Sequence, residues 1–328
     1  MPVQTVAGTG GTEVQDAVRR RFARLTAFAA VYCYLLVVFG GIVRITGSGL
    51  GCGDDWPLCN GRLIPPADLA TWIEWTHRLL AAGLIFPIAL VAVTAIRHRR
   101  GALGGATGAA TPALVALVLL GVQVVLGAIT VKLDLPAGIT ALHFVNALVM
   151  LGALVLAAVR ASGGRPGSDD PAADRKHARA ATVAAALGLA VVTFGALTAN
   201  TGLVGAQTEP SAAAWACQGF PLCNGSIMPA GGSLVHIHWT HRVLAYLLFF
   251  HVIGAAVAAV RRGAPRAIRI GAGASLALVV TQVLVAAGLI HMSLPNGMRA
   301  LHLVVGAALW MALVAWWAAA KARFPSRT

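Results

Sequence analysis

Charge is what this sequence has least of. Asp, Glu, Lys and Arg make up 11% of its 328 residues, against about 25% in a soluble domain. With 58% hydrophobic residues and a mean hydropathy of +0.78, this scarcity excludes a water-soluble globule. Acidic residues are the rarer sign, 11 against 25 basic ones, for a net charge of +14. Such a balance invites a nucleic-acid reading. The basic residues, however, fall in short clusters between apolar runs, the pattern of membrane loops, so no nucleic acid is expected. A small-residue cleavage site is also lacking before Arg44, so the first apolar run reads as a membrane helix and not as a removed signal. Mixed clusters of Cys and His are missing too. Zinc prefers four N or S ligands from one cluster, and here the cysteines stand apart from the histidines.

What is present is a series of eight apolar runs, at 25–43, 72–96, 112–133, 139–159, 181–201, 235–260, 268–290 and 298–320. Each is long enough to cross a hydrocarbon core of about 30 Å as a helix. In lipid the backbone must satisfy its own hydrogen bonds, so helices are required. Most Lys and Arg lie at the N-terminus, in every second loop and at the C-terminus, which places both termini in the cytoplasm. Arg44, Arg62, Arg78, Lys132, Arg242 and Arg299 fall at the outer ends and need another reason to be there. The reading is an N-terminal cytoplasmic segment (1–24), a four-helix half (25–160), a Gly/Pro-rich cytoplasmic linker (161–180), a second four-helix half (181–320) and a tail (321–328).

The halves repeat one another. Cys52-Gly-Asp-Asp-Trp-Pro-Leu-Cys59-Asn60-Gly61 returns as Cys217-Gln-Gly-Phe-Pro-Leu-Cys223-Asn224-Gly225. Trp75-Thr76-His77-Arg78 returns as Trp239-Thr240-His241-Arg242 at the same distance after the second Cys. Gln123, Leu135-Pro136 and Ala141-Leu142-His143 return, at one common offset, as Gln282, Leu294-Pro295 and Ala300-Leu301-His302. An even number of spans per half makes these parallel repeats. The expected fold is therefore all-α, eight transmembrane helices in two tandem bundles related by a pseudo-twofold axis along the membrane normal.

Of the 10 histidines, His77, His143, His241 and His302 occupy repeat-equivalent places. All four fall near the outer ends of inward-running helices. An ionisable group within a span is costly and usually functional. Two imidazoles from facing helices can ligate one heme iron from both sides. The alternative is a set of polar groups hydrogen-bonding between helices. His98 and His177 fall between the apolar runs and are expected to be solvated, and His251 is expected to be structural. Cys33 reads as core packing.

Both Cys pairs lie in outer loops, an oxidising place where disulfides Cys52–Cys59 and Cys217–Cys223 can persist, either as loop staples or as redox-active bonds. Glu74 shares a helix face with His77, and His238 stands in its place in the other half. One half thus carries a carboxylate beside its histidine, able to move protons or stabilise a cation, or simply to pair with an Arg. Arg44, Arg78, Arg242 and Arg299 are candidates to pair with heme propionates, or to snorkel to the interface.

These motifs resemble the heme A synthase family, membrane enzymes that convert heme O to heme A for terminal oxidases. The resemblance rests on Gly41-Ile-Val-Arg44-Ile-Thr46-Gly-Ser-Gly49-Leu-Gly-Cys52, Asp55-Trp56-Pro57-Leu-Cys59-Asn-Gly61, Glu74-Trp-Thr-His77-Arg78, Pro221-Leu-Cys223-Asn-Gly225, His241-Arg242 and Leu301-His302. It is closest to Cys-bearing bacterial members. It implies a resident heme b on His241 and His302 and a heme O substrate between His77 and His143. It also implies a catalytic role for Glu74 and an activity-linked disulfide at Cys52 and Cys59. The expected setting is a bacterial cell membrane. Heme O synthase and a quinone or other electron acceptor are the candidate partners, and homo-oligomerisation is left open. A diheme electron-transfer protein and a heme transporter or chaperone are the rival readings. The first has no need for Glu74 in one half alone.

Overall fold

The computed structural model describes residues 9–105, 108–163, 171–203 and 208–321. Arg165, Arg323 and Arg327, three of the basic residues used for orientation, lie outside the described residues, as does most of the expected tail. Over the described residues the chain is helical, with two isolated β-bridges and no strand. The helices are α1 (Thr9–Ile45), α2 (Leu69–His98), α3 (Ala110–Lys132), α4 (Ala137–Ala161), α5 (Pro171–Asn200), α6 (Ala212–Trp215), α7 (Ser233–Arg261), α8 (Arg266–His291) and α9 (Asn296–Lys321). All but α6 are long and apolar enough to span a membrane, which makes 8 candidate spans in a multi-pass membrane protein.

Two helices outrun the apolar runs that predict them. The run at 25–43 sits inside α1, which starts at Thr9, so part of the expected N-terminal segment is helical. The expected linker gives way at Pro171 to α5. The sequence there is Ala-rich, and Pro in a first helical turn loses no hydrogen bond. Polar character alone did not reveal that a helix continues past the lipid. Elsewhere the ends are marked locally. Asp68 caps α2 by accepting from the Thr71 amide at 3.0 Å, which holds its carboxyl below the usual range. Ser211 caps α6 by accepting from the Ala214 amide. Arg97, Arg160, Arg261 and Lys321 close the last turns of α2, α4, α7 and α9 at the end opposite the Cys loops, while Arg44 and Lys132 close α1 and α3 at the loop end.

Helix α1 packs on α2 and α4, and α3 on α2 and α4. Helix α7 packs on α5 and α8, and α9 on α8 and α5. Helices α4 and α9 lie at the centre and meet each other: half of each one's most apolar stretch is buried, against a third or less in the other spans. Trp310 of α9 is buried in this seam. Its indole N–H donates to the Leu148 carbonyl of α4 at 2.7 Å, and its ring lies against Gly152 of α4 and Gly188 of α5. A methyl at Gly152 would crowd the Trp310 ring at 3.1 Å, and one at Gly188 would push on the tip of Leu313, so glycine at these places allows the close approach. Tyr34 of α1 donates to the Val304 carbonyl of α9 at 3.2 Å, tying α1 to the same helix. By contrast Phe86, Leu90, Val118, Phe250 and Leu284 are bare, as lipid-facing residues should be.

Trp310→Ala should therefore loosen the seam, losing a buried aromatic and its hydrogen bond. The expected cost is about 3–5 kcal/mol, read as a lower thermal midpoint in detergent. An unchanged midpoint would show that the seam does not hold the bundle together.

Candidate functional site

The four repeat-equivalent histidines are placed on four different helices, each close against a neighbouring helix. His77 projects from α2 onto Gly40 of α1, and a methyl at Gly40 would stand 3.0 Å from the His77 Cε1. His143 of α4 lies in the same way on Gly127 of α3, and His241 of α7 on Gly195 of α5, at 3.3 and 3.0 Å. The bare glycine backbone admits each ring edge. The next residue along α1, Gly41, takes Leu303 of α9, beside His302. One helix thus touches both histidine regions on consecutive residues.

The ring nitrogens are partnered unequally. His241 Nδ1 lies 3.0 Å from the Val191 carbonyl. A carbonyl only accepts, so Nδ1 carries the proton and Nε2 keeps its lone pair. The His241 and His302 rings are 6.5 Å apart between centroids. Metal–imidazole bonds run about 2 Å, and the ring centre lies about 1 Å beyond the nitrogen. Two axial imidazoles on one iron therefore have centroids roughly 6 Å apart, and this pair fits that span.

His77 and His143 are the corresponding pair in the first half, on α2 and α4. Each has a buried Nδ1 without a hydrogen-bond partner in the structure. His143 Nε2 accepts from Gln123 Nε2 at 3.1 Å, and Gln123 is oriented by Asn146, which donates to its Oε1 at 2.7 Å. Gln282 reaches His302 in the matching way, at 3.1 Å from Nδ1 and 3.2 Å from Nε2. Val305 stands where Asn146 would, and Gln282 Oε1 has no partner in the structure.

Above the histidines, Cys52 and Cys59 are bonded, as are Cys217 and Cys223. All four are buried. Arg78 Nη1 donates to the Asp55 and Leu58 carbonyls at 2.6 and 2.8 Å. Arg242 Nη1 donates to Gly219 and Leu222 at 2.7 and 2.9 Å, and its Nη2 to Cys217 at 2.6 Å. These two arginines, candidates for propionates in the sequence, clamp the disulfide loops. Glu74 is part of the same clamp. Its Oε1 accepts from Arg78 Nε and Nη2 at 3.1 and 2.5 Å, and its Oε2 from the Cys52 amide at 2.8 Å. In α7 His238 does this work, with Nδ1 on the Ala213 carbonyl at 3.0 Å and Nε2 accepting from Arg242 Nε at 3.2 Å. Glu74 therefore joins the His77 helix to the backbone of a disulfide cysteine, and His238 makes the neutral version of that joint.

Arg44 donates from Nε to Asn200 Oδ1 at 3.2 Å, and Arg299 from Nη1 to the Thr208 carbonyl and Asn296 Oδ1 at 2.7 and 2.8 Å. The two guanidiniums, from α1 and α9, are close enough to repel. Cys33 is buried in the core, and His251 bonds the Ala180 carbonyl at 2.9 Å. His177 corrects the sequence reading: it is buried on α5 and not solvated, because the helix begins before it. The sequence reading missed Asn146, Val191 and the glycines. A signal for the glycines was present, since Phe39-Gly40 recurs as Phe194-Gly195.

Helical spans, disulfide-closed loops and half-buried histidines between the helices define a polytopic membrane protein. The chain belongs to the COX15-CtaA family of cytochrome oxidase assembly proteins, whose model matches residues 23–314. Among its relatives are the heme A synthase of Alkalihalophilus pseudofirmus, 32% identical over 241 residues (71% of this chain, 75% of that one), and the heme A synthase of Symbiobacterium thermophilum, 32% identical over 256 residues (76% and 79%). It also matches 48% of the protoheme IX farnesyltransferase of Thermus thermophilus, at 33% identity over 314 residues and 89% of this chain.

Arg78→Ala and Arg242→Ala should each release one disulfide loop. Hydrogen exchange should quicken in 52–62 for the first variant and 217–226 for the second, with the other loop unchanged. Equal exchange in variant and wild type would show that the loops hold without their clamps.

Proposed function

We propose that this chain is a heme A synthase that oxidises a ring methyl of heme O to the formyl group of heme A. Heme b is held by His241 and His302 as the resident cofactor, and heme O is taken between His77 and His143. The observation that carries the assignment is the His241–His302 pair, 6.5 Å between ring centres with His241 fixed by Val191. A hydrogen bond of this kind to a ligating histidine typically adds about 10–100-fold in metal affinity. His77 and His143 have no such bond at Nδ1, and since each pair has one histidine reached by a Gln side chain, the pairs differ in the backbone bond that His241 makes. A preset pair suits a cofactor that stays, and a looser pair suits a substrate that must leave.

The relatives named heme A synthase support the reaction. The Thermus thermophilus relative, named for farnesyl transfer to protoheme IX, supports a farnesylated heme as the substrate class. Bound heme supplies one-electron chemistry. The chain's own residues orient both macrocycles, keep water from them and set the charge nearby. Glu74 places a carboxylate one helical turn from His77, where it can take up a proton or stabilise positive charge as the methyl is oxidised. Its bond to the Cys52 amide links that charge to the disulfide loop. Arg44 and Arg299 lie outside the loop clamps, near each other between α1 and α9, and are candidate partners for propionates in exchange for their present amide and carbonyl acceptors. The segments 25–160 and 181–320 are duplicated bundles about a twofold axis, a reading supported by their matching loop, Gln–His and Trp hydrogen bonds. The basic helix ends belong in the cytoplasm of a bacterial cell and the disulfide loops outside.

His241→Ala or His302→Ala should remove most of the low-spin b-type spectrum of the purified protein, and a normal spectrum in both would move the resident site elsewhere. Glu74→Gln should keep that spectrum but lower heme A formation by about 10²–10⁴, with heme O or a hydroxylated intermediate accumulating. Wild-type heme A yield in this variant would leave Glu74 as a loop anchor alone.

A further inference from the structure

Each disulfide loop ends in a pair of bare apolar side chains for which heme chemistry has no use. In the first loop these are Leu63 and Ile64, 79% and 69% exposed, and in the second Ile227 and Met228, both 77% exposed. The residues differ between the loops and the apolar character does not.

Both pairs are held rigidly. Asn60-Gly61 and Asn224-Gly225 take left-handed φ values of 51° and 71°, and 52° and 75°, which close a tight hairpin over the bridges Cys59↔Arg62 and Cys223↔Ser226. The disulfides pin one side of each hairpin. On the other side Trp75 Nε1 donates to the Leu63 carbonyl at 2.8 Å, and Trp239 Nε1 to the Ile227 carbonyl at 2.8 Å. One carbonyl in each pair is thus tied to its helix while the side chains stand clear of the described residues.

The anchors also set a depth. Trp75 and Trp239 stand at the same register inside α2 and α7, about 9 Å along the axis from the first residue of each. Side chains lean back toward the N-terminus of their helix, so each indole meets its loop beside the first turns of a span. Indoles collect at that level of a bilayer. The apolar surface continues from Leu63 through Trp75, which packs edge-on against Trp72 at 5.0 Å, to the bare Leu69 and Leu79 of the α2 outer surface.

We propose that Leu63–Ile64 and Ile227–Met228 are two membrane fingers, inserted in the interfacial zone of the leaflet on the disulfide side. The matching Trp-set depth of both pairs, and the continuity of the first pair with the lipid-facing surface of α2, favour lipid over a water-borne protein. Seated this way, they hold both disulfide loops, and the Arg78 and Arg242 clamps with them, at a constant height above the histidines. This inference does not depend on the heme assignment.

The test is hydroxyl-radical footprinting of the full chain in nanodiscs of phosphatidylethanolamine and phosphatidylglycerol doped with a diazirine-bearing analogue of the same lipids. The described residues shield little of Met228, and lipid adducts report directly on what covers it. The expected result is that Met228 oxidises nearly as slowly as the buried Met150, and that peptides holding 63–64 and 227–228 carry lipid adducts. A Met228 rate closer to that of the unfolded chain would overturn the proposal and leave the patch open to a soluble partner. Protection without lipid adducts would also overturn it, showing a contact between copies of the chain.

Discussion

A half-buried imidazole inside a membrane bundle needs partners for the ring nitrogens it turns inward, and the helices around the four repeat-equivalent histidines are arranged to meet that demand. Unmet, each buried polar atom costs about 1–3 kcal/mol. His241 is met by a backbone carbonyl on α5 and His302 by Gln282. His77 and His143 keep buried nitrogens that no protein atom in the structure satisfies. Helices α1, α3 and α5 come close enough to enclose the rings because glycines stand at the contacts. The close approach of α1 to α9 at Gly41 then brings the two histidine regions onto one shared wall.

The second theme is how one clamp was built twice with different chemistry. Arg78 and Arg242 hold their loops through matching carbonyls. Beneath them stands a charged acceptor, Glu74, in one case and a neutral one, His238, in the other. A neutral acceptor is enough to position an arginine. The carboxylate therefore needs a further reason, and a charge one turn from His77 supplies it. The same bond that orients the carboxylate ties it to Cys52, so Glu74 and the Cys52–Cys59 disulfide are parts of a single hydrogen-bonded unit.

Much of this was legible in the sequence because the repeat prints the side chains that matter twice. The eight spans, both Cys pairs and the four histidines follow from apolar length and matched motifs. Partners that are backbone atoms were not legible: the Val191 carbonyl and the loop carbonyls under Arg78 and Arg242 have no residue identity to read. Asn146 was hidden for a different reason, since its counterpart is Val305 and the repeat breaks there. His177 was misplaced because a polar stretch looks the same whether it is a linker or a helix running out of the lipid. The arginines were seen, but not their use, because a guanidinium can serve a propionate or a carbonyl equally well.

The central claim is that two histidine pairs, one preset and one loose, make a bundle that keeps one heme and transforms another. The most direct measurement supplies heme O to the purified protein carrying its resident heme, then extracts and separates the hemes by chromatography. The account predicts that heme b is recovered unchanged while heme O disappears in favour of heme A. Recovery of heme O intact, with the resident heme present and an electron acceptor supplied, would contradict it.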